Sequence, residues 1–472
     1  MAISKKPVHK EMNNNMRKNK SVMKDDNVNK KNKLIFDKTN KTIFIVFCSL
    51  LMDLLAFTMI LPLLPSLLDH YKINDDPNGC YKWFESSIKY FQQVLQAPER
   101  FNSVLFGGFL GSMFSFLQFL VSPLIGGLSD VYGRKPILLI CLGGICFSYI
   151  LWALSKTFSI FILARIIGGI SKGNVSLSMA IIADVSSIAS RGKGMALIGI
   201  AFSIGFIIGP VIGALFAKWS HSQHGNWFVF PAIFAFLLSF ADFLFVIFYF
   251  KESLPKEKRA KSVAKSLSQA TAYINFKDIF QFRAVKNINK KDLNSLQNLG
   301  FIYFVYLLVY SGLEFTLTFL THHTFQYTSM EQGWMFFGIG LIMAILQSSW
   351  VRKLPHDKIK PVATLGLLLI IPSFVLIGLA TTSNLLILGL LFFAISTAMV
   401  VSCMTTLASK FGPEDQKGTI LGIFRSLGAL ARAIGPILAS TAFWSVGSSV
   451  TYLTGAVVLI WPWFSLYRSQ IS

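Results

Sequence analysis

Long apolar runs separated by short polar punctuation dominate this chain, and their length sets its class before any single residue does. Runs of about 20 apolar residues are what a helix needs to cross the hydrocarbon core of a bilayer. They occur at 43–68, 103–128, 137–154, 159–183, 194–217 and 228–250, and again at 299–321, 332–351, 361–381, 384–407, 418–444 and 447–467. Backbone polar groups in lipid must be satisfied within their own segment, so each run is predicted as a helix. The pattern predicts an all-α integral membrane protein with twelve transmembrane helices in two six-helix halves. The first bundle covers 43–250, a polar linker follows at 251–298, and the second bundle covers 299–472. Short connections within each half make successive helices antiparallel neighbours.

Composition agrees with lipid as the main solvent. The mean hydropathy is +0.57 and charged residues make up 14% of the chain, against about 25% in soluble domains. Residues 1–42 are rich in Lys and Asn and lack apolar periodicity, which predicts a disordered basic tail. The first apolar run begins after that tail and is too long for a signal-peptide core, so it is expected to serve as an uncleaved signal anchor.

The formal net charge of +22 changes the picture through its placement. With the N-terminus inside, the cytosolic segments hold 34 Lys and Arg, 12 of them in residues 1–42 and 11 in 251–298, and the outer segments hold 6. Miscounting one helix would invert every later loop, so the asymmetry supports twelve spans with both termini cytosolic. The plasma membrane and an intracellular membrane fit equally. Neither basic segment carries an aromatic stacking platform, so anionic membrane lipid is the expected partner and nucleic acid is not. The long outer loop, 69–102, is expected to cap the outer mouth.

Seven ionisable residues fall inside the spans: Asp53, Arg165, Lys172, Asp242, Glu314, Arg425 and Arg432. Each would cost about 2.5–3.5 kcal/mol at mid-helix if unpaired, roughly 20 kcal/mol together. They must therefore face one another or water. Arg165 and Lys172 are seven apart, as are Arg425 and Arg432, so each pair shares a helix face at a spacing of about 10 Å.

Short motifs carry a family resemblance. Residues 126–136 read Gly-Gly-Leu-Ser-Asp-Val-Tyr-Gly-Arg-Lys-Pro, a charged turn that cannot lie in hydrocarbon. Asp53 precedes Pro62 and Pro65, Arg165 precedes Gly169 and Gly173, and Gly205, Gly209, Pro210 and Gly213 recur along the fifth span. That span opens at Lys193-Gly194 and reaches Gly209-Pro210, while the eleventh opens at Lys417-Gly418 and reaches Gly435-Pro436, a weak internal repeat of the kind duplicated transporter halves display. With these motifs the chain resembles the major facilitator superfamily along all twelve spans. Departures are Val131 and Ile137 in the turn, where basic residues are common, and Ala214 in place of a final glycine. The segments at 170–178, 311–317 and 425–432 are similar to a branch related to bacterial tetracycline/proton antiporters.

The resemblance implies a secondary active carrier working by alternating access, exporting or exchanging organic anions or drug-like amphiphiles, with protons as the expected coupling partner. In that arrangement the first, fourth, seventh and tenth helices line the cavity, and the second, fifth, eighth and eleventh form the interface between halves. Arg165, Lys172, Asn174, Arg425 and Arg432 are then the expected cavity residues, with the two basic stripes able to meet across it. Asp53 and Glu314 are the proton-coupling candidates, and Asp242, on the sixth span, is read as a structural partner.

The turn residues Gly126, Asp130, Gly133, Arg134 and Lys135, with Asp184 and Arg191 as partners, are expected to gate. Gly126 and Gly133 would permit close helix ends, and the charges would hold the halves together on the cytosolic side until the carrier opens inward. Gly205, Gly209 and Gly213 lie four apart on one face and read as helix packing, with Pro210 bending or stiffening the helix. The histidines lack a carboxylate or cysteine constellation and no phosphate-cradling loop is present, so neither enzyme chemistry nor a cofactor or metal is expected. A monomer is expected. The competing readings are a uniporter of neutral solutes and a receptor or scaffold on a carrier fold.

Overall fold

Among the described residues, twelve helices are long and apolar enough to cross a membrane. In this computed structural model the described residues are 39–95, 98–186, 188–221, 227–271, 274–285, 288–411 and 417–469. The tail through residue 38, where disorder is expected, and the side chains of Arg191, Lys193, Lys417 and Gly418 lie outside the description. The first half comprises α1 (Thr39–Asn74), α2 (Asn102–Tyr132), α3 (Arg134–Ala153), α4 (Phe158–Val185), α5 (Ile188–His221) and α6 (Val229–Tyr249). The second comprises α7 (Lys290–Phe325), α8 (Ser329–Ser349), α9 (Ile359–Gly378), α10 (Ser383–Ala408), α11 (Lys417–Val446) and α12 (Ser448–Arg468).

Helix ends run past the apolar limits where polar residues continue the turn. α7 starts at Lys290, upstream of the expected 299, and α1 ends at Asn74 after a 3-10 turn at Leu61–Leu63 that contains Pro62. A proline removes a backbone donor, and tighter local hydrogen bonding with close neighbours absorbs the loss. The expected loop at 69–102 contains a helix, Cys80–Leu95.

Within the halves, α3 packs on α4 and α6, and α9 packs on α10 and α12. Between the halves, α2 runs along α11 and α5 along α8. Burial separates centre from rim: the most apolar windows of α1 and α7 are 61% buried, those of α6 and α12 only 28%. The bare faces of α6 and α12 carry Leu237, Phe240, Phe248, Val457 and Trp461, which only a lipid environment makes inexpensive.

The two halves meet at the end bearing Asp69, Asn102 and His322, opposite the basic turns. There His322 Nε2 lies 2.8 Å from Asp69, Ser103 Oγ lies 2.9 Å from His323, and Trp444 donates to Asn102 at 3.0 Å. At the basic end the linker is interposed, with Phe276 stacked on Phe119 of α2 and Phe282 against Phe424 of α11.

Candidate functional site

The fourth span is broken where its charge sits. Helix Phe158–Ser171 ends at Lys172 (φ −79°, ψ 38°), and a new helix, Asn174–Val185, begins after Gly173. Interrupted backbone at membrane depth is tolerated where it lines protein or a cavity. The break directs Lys172 toward α1. Its Nζ donates to both carboxylate oxygens of Asp53 at 2.7 Å, and both residues are almost fully buried.

Aromatic faces complete this site. Lys172 Nζ sits 4.7 Å above the ring of Phe57, and the guanidinium of Arg165 sits 4.2 Å above Phe114. The two rings stack on each other at 5.3 Å. Arg165, Lys172, Phe57, Phe114, Ser148 and Tyr149 line one pocket among α1 to α4. Arg165 thus points into the first half and does not reach toward the membrane surface. Asn174 is buried with its side-chain oxygen unpartnered and is not among the pocket's lining residues.

The second half holds a parallel cluster. Glu314 on α7 accepts from Tyr310 Oη at 3.2 Å and lies 3.8 Å from Arg432 Nη1 of α11. Tyr310 stacks on Phe393 of α10 at 5.1 Å. Arg425, exposed on α11, lies near the uncharged phenol of Tyr303 and has no acidic partner among the described residues. No contact among the described residues joins Arg165 or Lys172 to Arg425 or Arg432, so the expected meeting of two basic stripes across a cavity is replaced by one cluster in each half.

Pairing leaves an imbalance. Lys172 neutralises Asp53 and Arg432 faces Glu314, while Arg165 and Arg425 have no acid among the described residues. The expectation that Asp242 is a structural partner is not met. It is 0% exposed, and among the described residues neither carboxylate oxygen has a hydrogen-bond partner of good geometry.

The 126–136 turn is an electrostatic knot inside the first half. Arg134 binds Asp130 at 2.6 Å, Asp184 at 2.8 Å and Ser129 at 2.5 Å, and Lys135 donates to the Ile247 carbonyl at 2.7 Å. The backbone N–H groups of Arg134 and Lys135, at the start of α3, donate to Glu252 at 2.9 and 3.1 Å. A helix N-terminus attracts such a carboxylate because its first amides lack partners and carry the positive end of the dipole. All these partners precede the second half, so among the described residues the turn makes no tie between halves. Gly133 needs its residue type, with φ +105°, but nothing lies within 4 Å of a side-chain carbon placed at Gly126. The close approach belongs instead to Gly127, where a side-chain carbon would lie 3.1 Å from the Ser266 carbonyl of the linker. Arg191, expected as a partner, lies outside the described side chains.

The α5 glycines face α1. A side-chain carbon at Gly205 would lie 2.7 Å from Leu54, at Gly209 3.1 Å from the Leu55 carbonyl, and at Gly213 against the backbone of Met59. Thr58 Oγ1 donates to the Gly205 carbonyl at 2.7 Å across the same seam. The Pro210 carbonyl lies on the opposite side, close to Gly333 of α8.

Sequence reasoning missed Phe57, Phe114, Tyr310 and Glu252. Phe57 lies four residues after Asp53 and Tyr310 four before Glu314, so helical spacing alone places each aromatic beside its acid. Phe114 comes from another helix and Glu252 from beyond a span, and neither carries a local signal.

Comparisons agree with this architecture. The Major Facilitator Superfamily profile matches residues 46–436. The chain is 43% identical over 435 residues to human "Major facilitator superfamily domain-containing protein 10", covering 91% of this chain and 93% of that one. It is 25% identical over 436 residues to the class D tetracycline resistance protein of Salmonella ordonez, covering 89% and 97%. The crystal structure of the human organic anion transporter MFSD10 (TETRAN) superposes with a TM-score of 0.75 at 43% identity, covering 91% of this chain and 99% of that one. A twelve-helix chain with these matches along nearly its whole length belongs to the major facilitator superfamily of transporters.

Proposed function

We propose that the chain is a proton-coupled carrier that exports or exchanges amphiphilic organic anions by alternating access. The observation that carries this reading is the pair of span arginines, Arg165 and Arg425, left without acids among the described residues while the neighbouring cations are matched. An unpaired guanidinium inside a membrane protein is costly unless an anion or water completes it. Phe57 and Phe114 beside Arg165, and Tyr303 beside Arg425, favour an anion that also carries an aromatic or apolar body. A relative named as an organic anion transporter and another named for tetracycline resistance support the same substrate class.

Coupling follows from the ion pairs. Protonation of Asp53 or Glu314 frees Lys172 or Arg432, so a proton bound at the acid raises the positive charge offered to the substrate. With both termini cytosolic, the conformation closed at the Asp69 and His322 end takes substrate from the cytosolic side, and the Asp130, Arg134 and Asp184 knot steadies the first half as a gating element. The carrier acts as a monomer.

Purified protein in proteoliposomes, given aromatic carboxylates or sulfonates, zwitterions and organic cations under an imposed pH gradient, tests this. Anion uptake that follows the gradient is expected. Uptake of cations alone, or anion uptake indifferent to the gradient, would contradict the proposal.

A further inference from the structure

The connection between α1 and α2 carries a helix, Cys80–Leu95, whose surface divides into three strips. At about 100° of rotation per residue, Tyr81, Phe84, Ile88 and Gln92 share the strip that faces the protein, with Tyr81 buried and the others partly so. The Tyr81 ring packs edge-on against Phe106 of α2 and Phe158 of α4, at 5.0 and 5.3 Å. Lys82, Ser86, Lys89 and Gln93 form a second strip, exposed and polar. The third holds Trp83, Tyr90, Phe91 and Val94, which are 62%, 70%, 60% and 64% exposed. A surface bathed only in water rarely gathers so much apolar side chain in one place.

Contacts of the first strip place the helix at the lipid boundary. Phe84 lies 5.7 Å from Phe106 and 5.5 Å from Phe109 of α2. A side chain at Gly107 or Gly111 would meet Phe319 or Phe315 of α7, and Phe109, two residues from each, points the opposite way, out of the bundle. Phe109 is 38% exposed, and Phe116, seven residues on along the same face, is 42% exposed. This face of α2 therefore belongs to the rim that lipid covers. The helix also touches α4 and α11, which flank that face: Phe106 meets Phe158 of α4, and Gly108 abuts Ser440 of α11. A hydrocarbon core takes about 20 helical residues, so counting back from Ser129-Asp130 of the charged turn puts the opposite boundary near Phe109. We infer that Cys80–Leu95 is an interfacial helix that beds Trp83, Tyr90, Phe91 and Val94 among the lipid headgroups at the end away from the basic turns, with Lys82 and Lys89 toward water. Phe91 is seven residues from Phe84, so the apolar strip adjoins the one that meets Phe109 and continues the lipid-facing rim. Trp and Tyr favour that layer because each joins a large apolar ring to a polar edge. A helix with an uncharged aromatic flank and a lysine-bearing flank is the form that lies in the plane of a membrane surface.

Tryptophan fluorescence of the full chain in phosphatidylcholine vesicles, with iodide on both sides, provides the test. The emission that Trp83→Phe removes is that of Trp83 itself, and the substitution keeps an apolar ring, so this variant should fold. That component is expected to be quenched several-fold more by phosphatidylcholine brominated in the upper acyl chain than by iodide. The double variant Trp83→Phe/Lys89→Trp moves the probe to the polar strip, where iodide should quench more than the brominated lipid. A Trp83 component that iodide reaches and brominated lipid does not would overturn the inference. So would equal quenching at positions 83 and 89. A Trp83 component shielded from both quenchers would also overturn it, because protein, such as a second copy of this chain, would then cover the strip.

Discussion

Lys172 shows how much one side chain decides here. Its ammonium is buried with Asp53 at 2.7 Å and has Phe57 beneath it, so its removal leaves a carboxylate without a counter-charge. Breaking a buried pair from one side costs about 3–5 kcal/mol, more than a cation over an aromatic ring contributes, which is about 0.5–2 kcal/mol. Lys172→Met and Asp53→Asn should therefore each lower thermal stability strongly, because each leaves one buried charge alone. The double variant should recover much of the loss, as measured by unfolding of the purified protein. The charges themselves were legible in the sequence because each interrupts an apolar run. Their partners were not, since pairing depends on how helices are rotated against one another. That is why Asp53 and Lys172, 119 residues apart, were assigned to separate roles, and why Asp242 was expected to be paired.

Among the helices, position along the membrane was easier to read than contact. Apolar runs located all twelve, but hydropathy could not see that α7 starts as early as Lys290 through a polar turn, or that the connecting segment Cys80–Leu95 is a helix. The break in α4 was also hidden, because a Lys-Gly-Asn sequence in an apolar run fits both a kinked and a continuous helix. Glycine positions divide into those that admit a neighbour and those that do not. At Gly213 a side chain would collide with the Met59 backbone, whereas at Gly126 there is open space. Overpacking typically costs about 1–3 kcal/mol, and removing a mid-helix glycine gains about 0.5–1 kcal/mol. Gly213→Leu is expected to lower the unfolding temperature, and Gly126→Ala to leave it level or raise it. Equal losses in both would contradict the seam between α1 and α5.

The whole molecule is two bundles that meet at one end and are separated by the linker at the other, each with a cation and an aromatic group beside an acid. Alternating access requires an arrangement of this kind, in which the halves exchange contacts at their two ends. The knot at Asp130, Arg134, Asp184 and Glu252 fits that division, since it stiffens one half without binding the other. Under the proposed function, substrate supplies the missing counter-charge for Arg165 and Arg425. A hydrogen bond to a charged group is worth about 1.5–3 kcal/mol, which corresponds to a change in affinity of about tenfold to a hundredfold. The most direct measurement is the binding of a fluorescent naphthalene sulfonate to the purified chain and to its Arg165→Gln and Arg425→Gln variants. The account predicts binding weakened by about tenfold or more in each variant, and native affinity in both would contradict it.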